Sequence, residues 1–239
     1  MMKSLDPAVR PVWLGILAIM HHEPDQAIRI LRQTGEAKTL GVAYYVAGQY
    51  VLFRGQMEEA ILRNPGDFGP YYYLGRHYDS ELDNPDEAIR WFQKALERNP
   101  GYPQAMSFLG SCLERLGRNG EAEKAYQSSG VLPRSQIGLA RLRLAAGDSA
   151  SALAIAEKAL LTDPRDLAGQ KLAARIYGDL DRPRDSLRAL NAAAKLAPHE
   201  ASIQYQIYRT CRLLGDSTKA AEALREFERL RAVYGIQSQ

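Results

Sequence analysis

YYYLGRHYDSELDNPDEAIRWFQKALERNP, residues Tyr71–Pro100, decides the fold. Leu74, Gly75 and Tyr78 fall on one side of a first helix, with Gly75 as a small contact point. Asn84 and Pro85 turn the chain, and Asp86 and Glu87 place negative charge in the first turn of a second helix, where the helix dipole favours it. Ala88, Phe92, Ala95 and Leu96 form the apolar side of that helix, and Asn99 and Pro100 stop it. The same spacings recur along the chain. A helix pair of about 34 residues cannot bury its apolar side alone, so several must stack.

The neighbouring units are read outward from this one, which spans 68–100. Leu109, Gly110, Gly117, Ala122 and Tyr126 mark a unit at 103–131, and Leu139, Ala140, Gly147, Ala152, Ala156, Ala159, Leu160 and Pro164 one at 133–164. Ala122 and Ala152 lie closer together than one full repeat, so about one helical turn is missing near Gly130 and Pro133. Two looser units follow at 167–198 and 201–234, the last ending in a helix with a polar face, as a terminal cap requires. Toward the start, Trp13, Leu14, Gly15, Ala18, Ala27 and Leu31 form a unit at 8–35. A unit at 41–65 places Ala47 and Gly48 at the small contact, with Ala60, Ile61 and Pro65 then arriving seven residues early. Its second helix is expected to be short. The chain is thus expected to be all-α, a right-handed superhelical solenoid of about seven antiparallel helix pairs filling 1–239 as a single domain.

The pattern resembles the tetratricopeptide repeat family, in its bacterial form, with Tyr71 where that family usually has Trp and one extra residue before Ala88. The resemblance implies that first helices line a concave groove and that repeat positions 2, 5, 9 and 12 point into it, on one helical face. On these positions the groove residues are Tyr45, Gln49, Tyr72, Arg76, Arg141, Lys171, Arg175, Tyr205, Arg209 and Arg212. Arg141, Arg175 and Arg209 succeed one another at the full repeat interval. Two readings of this row stand side by side. It suits an acidic peptide or a free carboxylate, because guanidinium presents a planar fork of donors, or it is an ordinary solvated face. The Asn partners of the family's carboxylate-clamping members are absent, which disfavours a chaperone-tail receptor.

Composition narrows the function further. With 239 residues, 46% hydrophobic and 25% charged, the chain is expected to fold throughout, and a net charge of +3 is too small to indicate nucleic acid. Lys3 and Arg10 precede an apolar run from Val12 to Met20, but Asp6, Pro7 and Pro11 interrupt the approach to it and no small-residue cleavage site follows, so a secretory signal is not expected. No apolar run reaches membrane-spanning length. Cys112 and Cys211 sit in apolar helical patterns and are read as core thiols. His21 and His22 face different ways on a helix end, and neither His77 nor His199 lies at a catalytic spacing, so no metal, cofactor or catalytic residue is expected. The expected function is a non-enzymatic scaffold for a protein or peptide, without nucleic acid or membrane insertion. The alternative is an accessory, spacer or dimerisation module of a larger enzyme or secretion assembly, with a homodimer as one form of it. A cytoplasmic location is expected, or a periplasmic one had a longer precursor carried a signal.

Overall fold

The computed structural model describes residues 9–234. The expectations placed on Lys3, Asp6 and Pro7, and on position 8 as the start of the first repeat, fall outside them. Every regular element among the described residues is a helix. They pair as α1 (Arg10–Met20) with α2 (Pro24–Leu31), α3 (Ala37–Val46) with α4 (Tyr50–Arg63), α5 (Phe68–Ser80) with α6 (Pro85–Arg98) and α7 (Pro103–Arg115) with α8 (Asn119–Ser128). The series continues with α9 (Pro133–Ala145) and α10 (Ser149–Thr162), α11 (Leu167–Asp179) and α12 (Pro183–Leu196), and α13 (Ala201–Leu213) and α14 (Ser217–Tyr234). Consecutive helices pack from α1 to α7 and from α9 to α14, and their short connections make them antiparallel. Packing divides the chain into two compact units, Met1–Ala122 and Glu123–Gln239.

Local chemistry explains the helix ends. The Asn84 side chain accepts from the Glu87 amide at 3.1 Å, and Asp148 does the same for Ser151 at 3.0 Å, each meeting an amide that a helix start leaves without a partner. Each turn inside a pair holds one residue in the left-handed region: His22, Gly48, Asp83, Gly117, Gly147, Asp181 and Gly215. Between pairs the rule changes. Gly35 and Gly130 are the left-handed residues there, and they follow α2 and α8, which have 8 and 10 residues where α4, α6, α10 and α12 have 14.

The short α8 agrees with the turn missing before Pro133. The second pair corrects the sequence reading. Its first helix is α3, and its small contact is Gly41, where a side chain would come within 2.3 Å of the Met57 methyl. Gly48 is instead the left-handed turn residue, with open space where a side chain would stand. The second helix, α4, is full length, and the shortened one is α2 of the first pair. The error was seven residues, two helical turns, which keeps an apolar face in phase and conceals the shift.

The contact between paired helices repeats in the first unit. A side chain at Gly15 would meet Leu31 at 2.4 Å, and one at Gly75 would meet the Phe92 ring at 2.7 Å. Phe53, Met57, Phe92 and Tyr126 are fully buried, as are Ala88, Ala122 and Ala152 at the small positions of second helices. Cys112 and Cys211 are buried free thiols, as expected, and burial raises the pKa of both.

One buried polar group stands apart. His77 on α5 is 1% exposed and neither ring nitrogen has a hydrogen-bond partner. The rings of Tyr45, Tyr50, Phe53 and Tyr78 surround it, with centroids 5.1–6.3 Å away. Burial lowers its pKa, the charge of Arg54 adds to the effect, and Glu81 opposes it. The imidazole is therefore held neutral.

Gly75→Ala should lower stability by about 1–3 kcal/mol, because the Phe92 ring has to move off a tight helix contact; urea unfolding measures it, and an unchanged midpoint would contradict the packing. His77 binds its proton more readily in the unfolded chain than in the folded one. Stability should therefore decline as pH falls below the unfolded value of about 6.5 and through the depressed folded value. Thermal unfolding followed from pH 7.5 to 5 should show that decline, and His77→Phe should flatten it.

Candidate peptide-binding faces

In the second unit the candidate residues come from the first helices α9, α11 and α13, of which α9 packs against α11. Arg141, Arg175 and Arg209 occupy equivalent repeat positions. Arg175 and Arg209 are exposed and have no ion pair among the described residues, so their guanidinium groups are open to a ligand. Arg141 is half-buried and donates to the Tyr126 hydroxyl at 3.5 Å.

Lys171 is different. Its ammonium lies 2.5 Å from Glu200, and that hydrogen bond, helped by one from Ser202, holds the Glu200 carboxyl below its usual range. The first unit repeats the arrangement, with Lys38 at the same repeat position and 2.5 Å from Asp67, the acid standing 29 positions ahead in both cases. A lysine here ties a first helix to the start of the next, so Lys171 is committed to the fold. Arg212 is exposed and donates to Tyr208 at 3.2 Å. Tyr205, 43% exposed, rests its ring 5.2 Å from that of Phe227.

In the first unit the candidates scatter. Gln49 precedes α4 in a turn, away from the helical positions that the register required. Tyr72 is 7% exposed, its ring packed edge-on against Tyr102 at 5.1 Å, so it belongs to the core and does not line a groove. Tyr71 is also buried, and Tyr73 is the half-buried member of the run. Tyr45 does reach the surface of α3. Its hydroxyl meets that of Ser80 at 2.9 Å, and burial raises its pKa. Glu81, beside them, accepts from Tyr50 at 2.5 Å, a bond that pushes the Tyr50 pKa up to about 12.

Arg76 on α5 is half-buried, with its guanidinium 4.3 Å from the centre of the Phe108 ring. Its Nη1 donates to Tyr72 at 3.4 Å, while its buried Nε has no acceptor. Correcting the register around Gly41 shows what else shares its repeat position. Val42 stands one repeat before Arg76, and Ile16 one repeat before Val42, at a closer spacing because α2 is short. Val42, Val46, Ile16, Ile19 and Met20 were absent from the sequence-derived set. They fall into place once Gly41, beneath Met57, rather than the left-handed Gly48 is the small contact of the second pair.

Comparison with known proteins agrees with this architecture. A tetratricopeptide repeat family model matches residues 38–103 and 77–129. No curated protein sequence matches the chain. Among solved structures, the fold resembles PilF of Pseudomonas aeruginosa, at 18% identity and a TM-score of 0.72, over 83% of this chain and 90% of that one. It resembles YrrB, described as a tetratricopeptide repeat protein with an unusual peptide-binding site, at 18% identity and a TM-score of 0.55, over 74% and 93%. A chain of the Cut9–Hcn1 assembly of APC/C aligns at 16% identity and a TM-score of 0.73, covering 94% of this chain but 43% of its own length. At these identities the likeness speaks for fold alone. Residues 38–129 thus match the tetratricopeptide repeat family, and the helix pairs on either side of them continue the fold that the solved structures share.

Proposed function

We propose that the chain is a non-enzymatic scaffold and that its second unit holds an acidic peptide segment along the first-helix face. The observation that carries this reading is the pair Arg175 and Arg209, exposed at equivalent repeat positions and without carboxylate partners among the described residues. Two such surface guanidinium groups, one repeat apart, make a row that a linear ligand can follow. Packed first helices such as α9 and α11 lie about 8–10 Å apart and an extended chain rises about 3.3 Å per residue, so acidic residues roughly three positions apart would meet Arg141 and Arg175. Arg141 extends the row at one end, and Arg212 and Tyr205 supply a further cation and a flat apolar surface at the other. Lys171 stays with Glu200 and takes no part.

The function needs no reacting group. Binding positions a partner, and its strength comes from several weak charge contacts added along the row. Each exposed pair is worth about 0.2–1 kcal/mol, so single changes are nearly silent.

A fluorescently labelled octaglutamate and its octalysine counterpart, titrated in low salt, test the reading. Octaglutamate should bind and octalysine should not. Replacing Arg141, Arg175 and Arg209 together with alanine should weaken octaglutamate binding roughly tenfold, with helix content unchanged by circular dichroism. Equal binding of the two peptides, or an indifferent triple variant, would move the binding surface elsewhere.

A further inference from the structure

In the first unit, the joint between the second and third helix pairs holds a group unlike those at equivalent places. His77 stands two residues after the small contact Gly75 on α5 and packs on the helices of the preceding pair. Its ring lies 5.1 Å from that of Tyr50 and 5.3 Å from that of Phe53 on α4, and 6.3 Å from that of Tyr45 on α3. The residues two after the small contact in other first helices include Ala43, Cys112, Leu142 and Ile176, all buried. An apolar side chain or a thiol therefore fills this place well enough for stacking. Histidine fills it too, and alone among them brings a side chain whose ordinary charge change falls between pH 5 and 8.

The surroundings favour the neutral ring. His77 is buried, and no group among the described residues hydrogen-bonds to either ring nitrogen. An imidazolium carries two N–H donors and a charge, and burying these without acceptors is costly. Few charged groups act on it: Arg54 on α4 disfavours a second positive charge, and Glu81, just past the end of α5, favours it. Glu81 is itself engaged by the Tyr50 hydroxyl at 2.5 Å, while Tyr45 meets Ser80 at 2.9 Å. On the other flanks of α5, Tyr78 stacks on Trp91 of α6, and Asp79 accepts from Arg115 of α7. Of the joints between successive pairs in the first unit this is also the slightest, α4 meeting α5 less extensively than α2 meets α3 or α6 meets α7.

We infer that this joint is an acid-operated hinge with His77 as its trigger: once the imidazole is protonated, α5 parts from α3 and α4 while each helix pair stays folded. Opening admits water to the ring, where the imidazolium finds its hydrogen bonds. The opened joint binds the proton more tightly than the closed one, so opening grows as pH falls below about 6.5. At pH 5 the opening constant rises by at most roughly thirtyfold, a limit set by the proton affinity of a solvated imidazole. The hinge lies within the first unit and does not depend on what the chain binds.

Spin labels on either side of the joint test it in the whole chain. Val51→Cys on α4 and Gln93→Cys on α6 are exposed positions in the second and third pairs, labelled after Cys112 and Cys211 have been replaced by alanine. Between pH 7.5 and 5 the distance distribution should gain a longer population that grows severalfold, while circular dichroism shows helix content retained. His77→Leu, the residue that Leu142 supplies at the equivalent place, should keep the neutral-pH distribution throughout. His21→Gln, His22→Gln and His199→Gln together, at the three exposed histidines, should leave the response intact. The His77 ring signal of the unsubstituted chain, followed by NMR, should titrate below pH 6.5, a readout that stands even if His77→Leu does not fold. The inference is overturned if the distances stay unchanged down to pH 5, or if they lengthen only as helix content is lost, which is global unfolding. It is also overturned if the response survives His77→Leu, if it vanishes in the triple glutamine variant, or if His77 titrates at or above pH 6.5.

Discussion

The close approach of the two helices within a pair is the constraint on which the rest depends. In the first unit it is made three times by glycine against a large apolar side chain, Gly15 with Leu31, Gly41 with Met57 and Gly75 with Phe92. Without a Cβ, the first helix settles onto the second closely enough for that side chain to be covered completely, as Leu31, Met57 and Phe92 are. The remaining apolar surface of each pair then has to be covered by the next pair, which is why the units stack and why no pair is a domain by itself.

The contact also decides which residues face outward. A first helix that buries its glycine side against its own partner and one flank against the next pair has a single strip left exposed. That strip can change chemistry freely, because its residues take little part in the core. In the first unit it is apolar on α1 and along most of α3 and turns polar on α5, with Arg76, Asp79 and Ser80, and in the second it carries exposed arginines. The same scaffold therefore presents strips of different chemistry in its two units.

Most of the fold was legible from Tyr71–Pro100, since Gly75, Ala88, Phe92 and Pro100 each mark a place where geometry restricts the residue. The second pair was not, for a physical reason. Ala-Gly at 47–48 imitates the small contact, and it lies seven residues from the true glycine, so the apolar face fits both registers. Only backbone conformation separates them: Gly48 is left-handed in a turn and Gly41 is helical beneath Met57. Each of the seven turns inside a pair holds one left-handed residue, and four of these are glycine, at 48, 117, 147 and 215. A glycine in this chain is thus as apt to close a first helix as to pack against a second.

The candidate sites were legible in part, because repeat position predicts where a side chain stands and not what it meets. Arg175 and Lys171 both lie on α11, yet one is open and the other is bound to Glu200. That acid stands at the start of the next helix pair, beyond the reach of any local pattern. The same separation joins Lys38 to Asp67, so the rule becomes visible once two copies are compared. A cation at that position, with an acid waiting at the start of the following pair, belongs to the fold. Arg76 is where this accounting fails to close: its neighbours have partners, no carboxylate among the described residues meets it, and its buried Nε has no acceptor. Its guanidinium is held instead against the Phe108 ring of the next helix pair and by the Tyr72 hydroxyl one turn earlier, contacts that repeat position alone does not announce.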